Sequence, residues 1–361
     1  MVGATLSKYL SLRFLKTIGA VFGGIFALIY LIDFVELLRR SSDVPSASAG
    51  FIALLSLLRV PAVSEQILPF AVLFGAMAAF LNLTRKLELV VARAAGVSVW
   101  QFLVPPLVVA ALIGILSVTV YNPMSALMKQ RADRIETSLF GRTGRADSDT
   151  SMWIRQRSVD GQSILRAEKS SDAGTNLGAV SAFIYDADGR FIERVDAARG
   201  KMMPGVWKLT NARVTSVQEE PQSVDTYYLA TNLTPEQVTQ SFVSPDSVPF
   251  WNLPELRDRT ASAGLDATGY RLRYQSLLAR PLLLVAMVLI AASFSLRFFR
   301  FGGIASMVSG GVVAGFVLYV ATKLVADLGS AGVLSAPVAA WSPAFVGSML
   351  GALALLYQED G

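Results

Sequence analysis

The stretch NLTRKLELVVARAAGVS, residues 82–98, is a short polar interruption between two long apolar runs. Its apolar residues recur at the i, i+3, i+4 and i+7 spacing of one helix face, namely Leu87, Val90, Val91 and Ala94. Glu88 lies where the helix dipole favours an acid, and Gly96 is a typical residue just after a helix end. Ser98 has a glutamine three residues later, which fits a capping box for the next helix. The sequence therefore predicts a short amphipathic helix over residues 84–96, with its own beginning and end.

The composition is typical of an integral membrane protein. Of the 361 residues, 53% are hydrophobic and 16% are charged, whereas soluble globular proteins have about 25% charged residues. Cysteine and histidine are absent, which excludes disulfides, thiolate chemistry, histidine bases and histidine metal ligands. The net charge of +5 is modest and is attributed to membrane topology, so no nucleic-acid partner is expected. The first apolar run is too long for a cleavable signal peptide, and further runs follow it.

Six apolar runs have lengths suited to crossing a membrane. An interfacial amphipathic helix is predicted before the first run, over residues 5–16, where Lys8, Arg13 and Lys16 lie among apolar residues. In the second apolar region, Pro61 predicts an elbow between a short interfacial helix and the span. The fifth run begins with several glycines, which permit close helix packing. The predicted spans are residues 17–38, 66–83, 100–121, 281–296, 303–325 and 337–357.

Residues 122–268 have a different character, because charges return and apolar residues alternate with polar ones. The alternating segments are SMWIRQ, QSILRAE, AVSAFIYD, RFIERVDAA, VWKLTNARVTSV and DTYYLAT. Turn signals separate them, such as Asp160-Gly161, Asp188-Gly189 and Pro204-Gly205. The pattern predicts an all-β sandwich or jelly roll with flanking helices. The fold class is thus an α-helical membrane protein with six transmembrane helices and an inserted all-β domain, divided as 1–121, 122–268 and 269–361.

The distribution of lysine and arginine predicts the orientation in the membrane. With the N-terminus inside, the cytoplasmic side collects Lys8, Arg13, Lys16, Arg85, Lys86, Arg93, Arg297 and Arg300. The opposite side collects only Arg39, Arg40, Arg59 and Lys323. Because positive charge is enriched in cytoplasmic loops, both termini and the helix at 84–96 are predicted to be cytoplasmic. The β domain is then predicted to lie on the outer side.

The sequence contains few residues that could carry catalysis. It has neither a P-loop nor a G-x-S-x-G motif. Two acidic pairs in the β region, Asp186 with Asp188 and Glu219 with Glu220, have the positions of solvated turn and strand-edge residues. Glu65 is the best candidate for an intramembrane acid, although it falls near an expected interface. We therefore expect a non-catalytic chain that binds no cofactor or metal of its own.

Two features allow more than one interpretation. Arg39 and Arg40 end the first span near two acids, and their guanidinium groups could bind phosphate bidentately or reach lipid headgroups as simple anchors. The helix at 84–96 could be a docking element for another protein or a solvated turn that sets topology. The residues alone leave both pairs of alternatives open.

Several local strings, in order along the whole chain, resemble the LptF/LptG family of lipopolysaccharide-export ABC transporter permeases. They are LSKYL, DFVELLRR, VP followed by ILPFAVLFGA, RKLELVVARAAGVS, TNLTPE, YRLRYQSLLARPL, GFVLYV and AAWSPA. The ELVV-x-x-A-x-G and TNLTP strings are the most specific, and TNLTP with AAWSP favours the LptG branch over LptF. A non-transporting scaffold with a ligand-binding β domain is the alternative from another class.

The resemblance implies a half-transporter and its partners. Permeases of this family pair with a homologous permease, here LptF, over a dimer of the cytoplasmic ATPase LptB, which holds the ATP and Mg²⁺. LptC contributes a membrane helix and a further β-jellyroll. The complex extracts lipopolysaccharide from the outer leaflet of the inner membrane and passes it to a bridge of periplasmic jellyrolls. The β domain of this chain matches the family's periplasmic jellyroll.

The resemblance also implies roles for individual residues. Glu88 matches the coupling-helix glutamate that docks in a groove of the ATPase, and Arg85 and Arg93 flank it. Arg39 and Arg40 match a basic pair that faces the phosphates of lipopolysaccharide. The fifth-span residues Phe316 and Tyr319 match positions that line an apolar cavity. Asp33 and Ala62 stand where some relatives carry lysines, so the basic ring of those relatives is reduced here.

Overall fold

The computed structural model describes residues 4–41, 48–140, 152–158, 161–171, 174–186, 189–216, 220–232, 245–262, 266–296 and 304–359. Several predicted features lie outside these residues: Asp160, Asp188, Glu219, residues 233–236 of the TNLTPE string, Arg297 and Arg300. The chain divides into two compact units. A helical unit comprises residues 1–135, 246–253 and 268–361, and a second unit comprises residues 136–245 and 254–267.

Six helical segments of the described chain are apolar and long enough to cross a membrane, and one of them comprises two helices in succession. The α-helices in the described residues number nine. Their bounds, in chain order, are α1 Ala4–Arg40, α2 Ala49–Arg85, α3 Glu88–Ala94, α4 Val99–Leu116, α5 Asn122–Phe140, α6 Leu253–Ser262, α7 Thr268–Leu296, α8 Ile304–Ser330 and α9 Ala336–Glu359. One π turn, Ser117–Tyr121, joins α4 directly to α5. Short 3₁₀ turns at Pro245–Ser247 and Phe250–Asn252 precede α6. The prediction of six membrane-spanning helices is confirmed.

Two predicted breaks in the first helices are absent. The interfacial helix expected at 5–16 and the first span form the single helix α1, because no proline interrupts it. The elbow expected at Pro61 is absent too, since α2 runs through Pro61 and Pro69. Carbonyl oxygens around Pro61 have side-chain partners: the Ser64 hydroxyl donates to the Val60 carbonyl at 2.9 Å, and the Tyr121 hydroxyl donates to the Pro61 carbonyl at 3.2 Å.

The helical unit is built around α2 and α7. In the apolar window of each, 67% of the residues are buried, against 6% in α1 and 17% in α8. Two glycines set close crossings at this centre. A Cβ on Gly75 would lie 2.6 Å from the Cα of Ile18, and one on Gly114 would lie 2.5 Å from the Cα of Pro281. Glycine therefore allows α1 to approach α2, and α4 to approach α7, backbone against backbone.

The second unit contains one six-stranded antiparallel sheet in the order β1 to β6. Its strands are β1 Met152–Ser158, β2 Gly161–Ser171, β3 Asn176–Tyr185, β4 Phe191–Met203, β5 Val206–Ser216 and β6 Gln222–Ala230. All six alternating segments of the sequence are strands, so the inserted β domain is confirmed. Short hairpins place each strand beside its neighbour in sequence, and the described strands form a meander in one sheet rather than two separate sheets.

The sheet curls until its first strand approaches its last. The buried Gln156 of β1 donates to the Ala230 carbonyl at the end of β6, at 3.3 Å. The side-chain oxygen of Gln156 accepts from Trp207 Nε1 at 3.2 Å and from Thr231 Oγ1 at 2.7 Å. Trp207 is fully buried in the apolar core that the curled sheet encloses. Thr231, the first residue of the TNLTP string, thus helps to close the sheet.

Candidate functional site: the polar turn, the end of the first span and a buried ion cluster

Glu88 opens α3 and is held by two side chains from α1. Arg13 Nη1 lies 2.9 Å from Glu88 Oε2 and 3.0 Å from Oε1, and the Tyr9 hydroxyl donates to Oε2 at 2.9 Å. Arg13 also contacts the Tyr9 hydroxyl and lies over the Tyr9 ring. The Glu88 side chain remains 33% exposed. The turn is therefore connected to the N-terminal part of α1, more than 70 residues earlier in the chain.

The surroundings of Glu88 favour its ionised form. Partial burial raises the pKa of the carboxyl. The hydrogen bonds from Arg13 and Tyr9 and the nearby charges of Arg13 and Lys86 lower the pKa by more than burial raises it. The net effect is a pKa below the ordinary value of 4.5. Glu88 is thus a carboxylate at neutral pH.

Three residues of the predicted apolar stripe, Leu87, Val91 and Ala94, face outward, and the side chain of the fourth, Val90, lies outside the described part of the structure. Leu87 is 57% exposed and Val91 is 67% exposed, and Ala94 is exposed as well. The residue that anchors α3 to the helical unit is instead Leu89, which is buried in the apolar core. Periodicity predicted the stripe, but it could not tell whether the stripe packs inward or outward. The structure shows an exposed apolar face beside an ionised carboxylate.

The predicted C-terminal end of this short helix and the predicted cap of the next helix are confirmed, but α3 begins at Glu88 and not at residue 84, because α2 continues to Arg85. Gly96 follows α3 with φ +82°, a left-handed conformation that glycine adopts without strain. The Ser98 hydroxyl caps α4 by accepting from the Gln101 backbone N–H at 3.3 Å. Arg85 is exposed at the end of α2. Arg93 lies in α3, and its side chain is outside the described part of the structure.

Arg39 and Arg40 share one carboxylate at the end of α1. Arg39 Nε lies 3.1 Å from Glu36 Oε2, and Arg40 Nε lies 2.8 Å from Glu36 Oε1. Both arginines remain exposed. Asp33, one turn earlier, faces Arg59 of α2 at 3.6 Å. The charge of Asp33 is therefore balanced within the chain, and two guanidinium groups with one carboxylate are presented at the surface.

The two fifth-span residues occupy different environments on α8. Phe316 is 57% exposed on the outside of the helical unit. Tyr319 is partly buried, and its ring centroid lies 5.0 Å from that of Phe70 in α2. The sequence-predicted lipid-contacting residues thus lie on α1 and α8, the two least buried of the six long helices.

A buried ion cluster around Glu65 was not predicted as a unit. The Glu65 carboxylate is 3% exposed and lies 2.5 Å from Arg280 Nη1 and 3.6 Å from Arg273 Nη2. It also accepts from Asn122 Nδ2 at 2.9 Å and from Ser125 Oγ at 2.6 Å. Glu65 is therefore an ion-pair partner with further hydrogen bonds. This arrangement differs from an isolated intramembrane acid.

The cluster continues into the segment that returns to α7. Arg273 Nη1 lies 3.3 Å from Asp246 Oδ1, and Asn122 Oδ1 accepts from the Phe250 backbone N–H at 2.9 Å. One signal in the sequence pointed to this arrangement. Arg273 and Arg280 are seven residues apart, which places them on one face of a helix two turns apart. The partners are far apart in sequence, so the signal did not identify Glu65 as their common acceptor.

The fold and these sites define a polytopic helical membrane protein of the permease type, with a β domain inserted between its third and fourth spans. The sequence profile of the family described as "Lipopolysaccharide export system permease LptF/LptG" matches residues 8–358. The chain belongs to this family, which confirms the resemblance seen in its local strings. Family membership and six membrane-capable helices together indicate a multi-pass protein of the inner membrane.

Individual relatives extend over nearly the whole chain. The chain is 24% identical over 331 residues to the lipopolysaccharide export system permease protein LptG of Escherichia coli K12, covering 90% of each chain. It is 22% identical over 342 residues to the protein of the same name from Haemophilus influenzae, covering 89% of each. These relatives carry the LptG name, which is the branch that the TNLTP and AAWSP strings predict.

Proposed function

We propose that this chain is the LptG-type permease half of an ABC transporter for lipopolysaccharide. In this proposal it extracts the lipid from the outer leaflet of the inner membrane and passes it through its β domain to a periplasmic jellyroll bridge. It pairs with LptF and LptC and carries out no chemistry itself. The N- and C-termini and α3 are cytoplasmic, and the β domain is periplasmic.

The observation that carries the proposal is the unequal burial of the six long helices. Only 6% of the apolar window of α1, and 17% of that of α8, is buried within the chain. These are the helices that carry Arg39, Arg40, Phe316 and Tyr319. A helix that packs so little against its own chain has its apolar face available to a second permease or to acyl chains. The exposed arginines at the end of α1 then supply cations for the phosphates of the same lipid.

The energy for extraction has to come from a separate subunit. Exposing acyl chains to water costs about 0.8 kcal/mol for each CH₂ group, so a lipid with many acyl carbons requires tens of kcal/mol. The sequence has no P-loop. We therefore assign the ATP and Mg²⁺ to a dimer of the ATPase LptB, which contacts this chain at α3.

The geometry of α3 suits that contact. It offers an exposed apolar face, Leu87 and Val91, next to the ionised Glu88. Apolar anchors beside a charged group are typical of a helix that docks in a groove of a partner. Arg85 and Arg93 flank this face in sequence and are proposed to contact the ATPase with it.

The outer site is tested by site-specific crosslinking to lipopolysaccharide from a photoreactive residue at position 35, an exposed residue of α1. The double variant Arg39→Ala/Arg40→Ala should reduce the crosslinked product by about tenfold or more, because it removes two charge-assisted contacts to phosphate. Lys323→Ala is the matched control, since Lys323 is an exposed cation near the predicted outer end of α8. Equal crosslinking in the double variant and the control would contradict phosphate binding by these arginines and would favour their interpretation as anchors to lipid headgroups.

A further inference from the structure

A shallow pocket beside Glu88 combines cations from two helices. Its lining residues on α1 have the spacing of one helix face: Thr5, Lys8, Tyr9, Leu12, Arg13 and Lys16. Lys86, at the end of α2, completes the lining. The pocket is therefore made by the tertiary packing of α1 against the polar turn. It is not a property of an isolated amphipathic helix.

The pocket has an excess of positive charge. Arg13 is engaged with Glu88. Lys8, Lys16 and Lys86 are exposed and lie within 4 Å of no carboxylate oxygen in the described residues, although Lys86 is near enough to Glu88 to act on it electrostatically. Glu88 is the only acid within 4 Å of a pocket cation in that part of the chain. Three ammonium groups thus surround a space that has no carboxylate of its own, which is an arrangement suited to an anion.

The position of the pocket along α1 identifies the kind of anion. After Lys16, the helix has no charged residue until Asp33, so the cations lie directly before the apolar run that enters the bilayer. Tyr9 and Leu12, both about half exposed, add an apolar edge to the pocket. A phosphate that carries acyl chains satisfies both parts, because its charge meets the ammonium groups while its chains continue along α1.

We propose that this pocket binds the phosphate group of an anionic glycerophospholipid from the leaflet that meets the N-terminal part of α1. The bound headgroup lies between α1 and Lys86, and it thereby connects lipid composition to the turn that carries Glu88. The proposal rests on the pocket itself and does not require the transport role. The two proposals can fail independently. Lipid could bind in this pocket in a chain that does not transport, and transport could occur without lipid in this pocket.

The test is native mass spectrometry of the full chain in detergent, titrated with phosphatidylglycerol. Binding should weaken about fivefold for each lysine replaced in Lys8→Gln, Lys16→Gln and Lys86→Gln, because one basic residue near an anionic surface contributes about that factor. Lys323→Gln, which removes an exposed cation outside the pocket, should bind like the wild type. Glu88→Gln should bind phosphatidylglycerol more tightly than the wild type, since it removes the neighbouring carboxylate. General damage to the fold would weaken binding in every variant, so a gain of affinity in this variant distinguishes a specific site from such damage.

Two further titrations identify the source of the phosphate. Phosphatidylcholine should bind weakly and equally to the wild type and the triple lysine variant, and glycerol phosphate should not displace phosphatidylglycerol at equal concentration. Unchanged phosphatidylglycerol binding in a triple variant with a wild-type melting temperature would overturn the proposal. Efficient displacement by glycerol phosphate would overturn the assignment to a lipid and indicate a site for soluble phosphates.

Discussion

Two glutamates of this chain have similar partners and opposite surroundings. Glu65 is 3% exposed, is paired with two arginines, and accepts hydrogen bonds from an asparagine and a serine inside the helical unit. Glu88 is 33% exposed and accepts from one arginine and one tyrosine at a turn. A buried charged group cannot form hydrogen bonds with water, so it depends on its partners in the protein. Glu65 therefore holds helices together inside the helical unit, whereas Glu88 remains partly accessible at the surface.

The difference predicts which ion pair the fold depends on. Removing one partner of a buried pair leaves an uncompensated charge, which costs about 3–5 kcal/mol. An exposed pair contributes about 0–1 kcal/mol, because water and salt screen it. Variants in the two clusters should thus separate loss of fold from loss of partner binding.

The largest effect is expected at the centre of the buried cluster. Arg280→Met should destabilise the helical unit by about 3–5 kcal/mol, since Glu65 loses its closest cation in a site that excludes water. Chemical unfolding in detergent, followed by circular dichroism, measures this change. The double variant Glu65→Gln/Arg280→Met should recover part of the loss, because neither charge then remains. If Arg280→Met were no more destabilising than the exposed Arg39→Met, the comparison between the two clusters would fail.

A smaller effect is expected at the edge of the same cluster. Asn122 is fully buried, donates to Glu65 and accepts from the Phe250 backbone N–H. Asn122→Ala removes the acceptor of the buried Phe250 N–H and one of several donors to Glu65, and it should cost about 1–3 kcal/mol, measured by the same unfolding experiment. Thr119→Ala, one turn earlier with an exposed hydroxyl that bonds only its own helix, is the matched control. A loss no greater than that of the control would show that water replaces the amide.

Glu88→Ala should change partner binding far more than stability. It removes a partly exposed pair at the edge of the helical unit, so the free energy of unfolding should fall by only about 1 kcal/mol. If α3 docks in an ATPase, the same variant should abolish co-purification of that subunit and transport. Val91→Asp is a second variant in the exposed apolar face and should have the same effect on co-purification. If the ATPase co-purified normally with Glu88→Ala, the proposed contact at Glu88 would be wrong, and α3 would be a solvated turn that sets the membrane topology.

The sequence predicted those elements whose pattern is local. Six strands followed from alternation, and six long helices from apolar runs, because each pattern is set by one buried or lipid-facing surface. The C-terminal end of α3 at Gly96 and the start of α4 at Ser98 were predicted for the same reason, since caps involve residues within one turn. The predicted separation before the first span was wrong because α1 has no proline to interrupt it, and the predicted separation at Pro61 was wrong because α2 continues through that residue.

The sites depended on contacts that local patterns do not contain. Glu65 meets Asn122 and Ser125 across 57 and 60 residues, and Arg280 across 215 residues. Arg13 reaches Glu88 across 75 residues. Sequence spacing showed that Arg273 and Arg280 share a helix face, but only the packing of α7 against α2 identifies their acceptor. Likewise, periodicity gave the stripe on α3, whereas its outward direction depends on the burial of Leu89.

The smallest effect is the pH dependence of the Glu88 pair. The pKa of Glu88 is lowered in the folded chain below its ordinary value of 4.5, so its contribution to stability is fully present above that value. It is lost as the pH falls through the lowered pKa, where the folded carboxyl becomes protonated. The stability difference between wild type and Glu88→Gln should therefore be constant from pH 7 to about pH 5 and should disappear in stronger acid. Arg13→Gln should remove the same dependence, because the lowered pKa relies on its hydrogen bonds. A difference that grew towards acid pH would instead mean that the folded state prefers the protonated carboxyl, and Glu88 would then resemble a buried acid rather than a surface ion-pair partner.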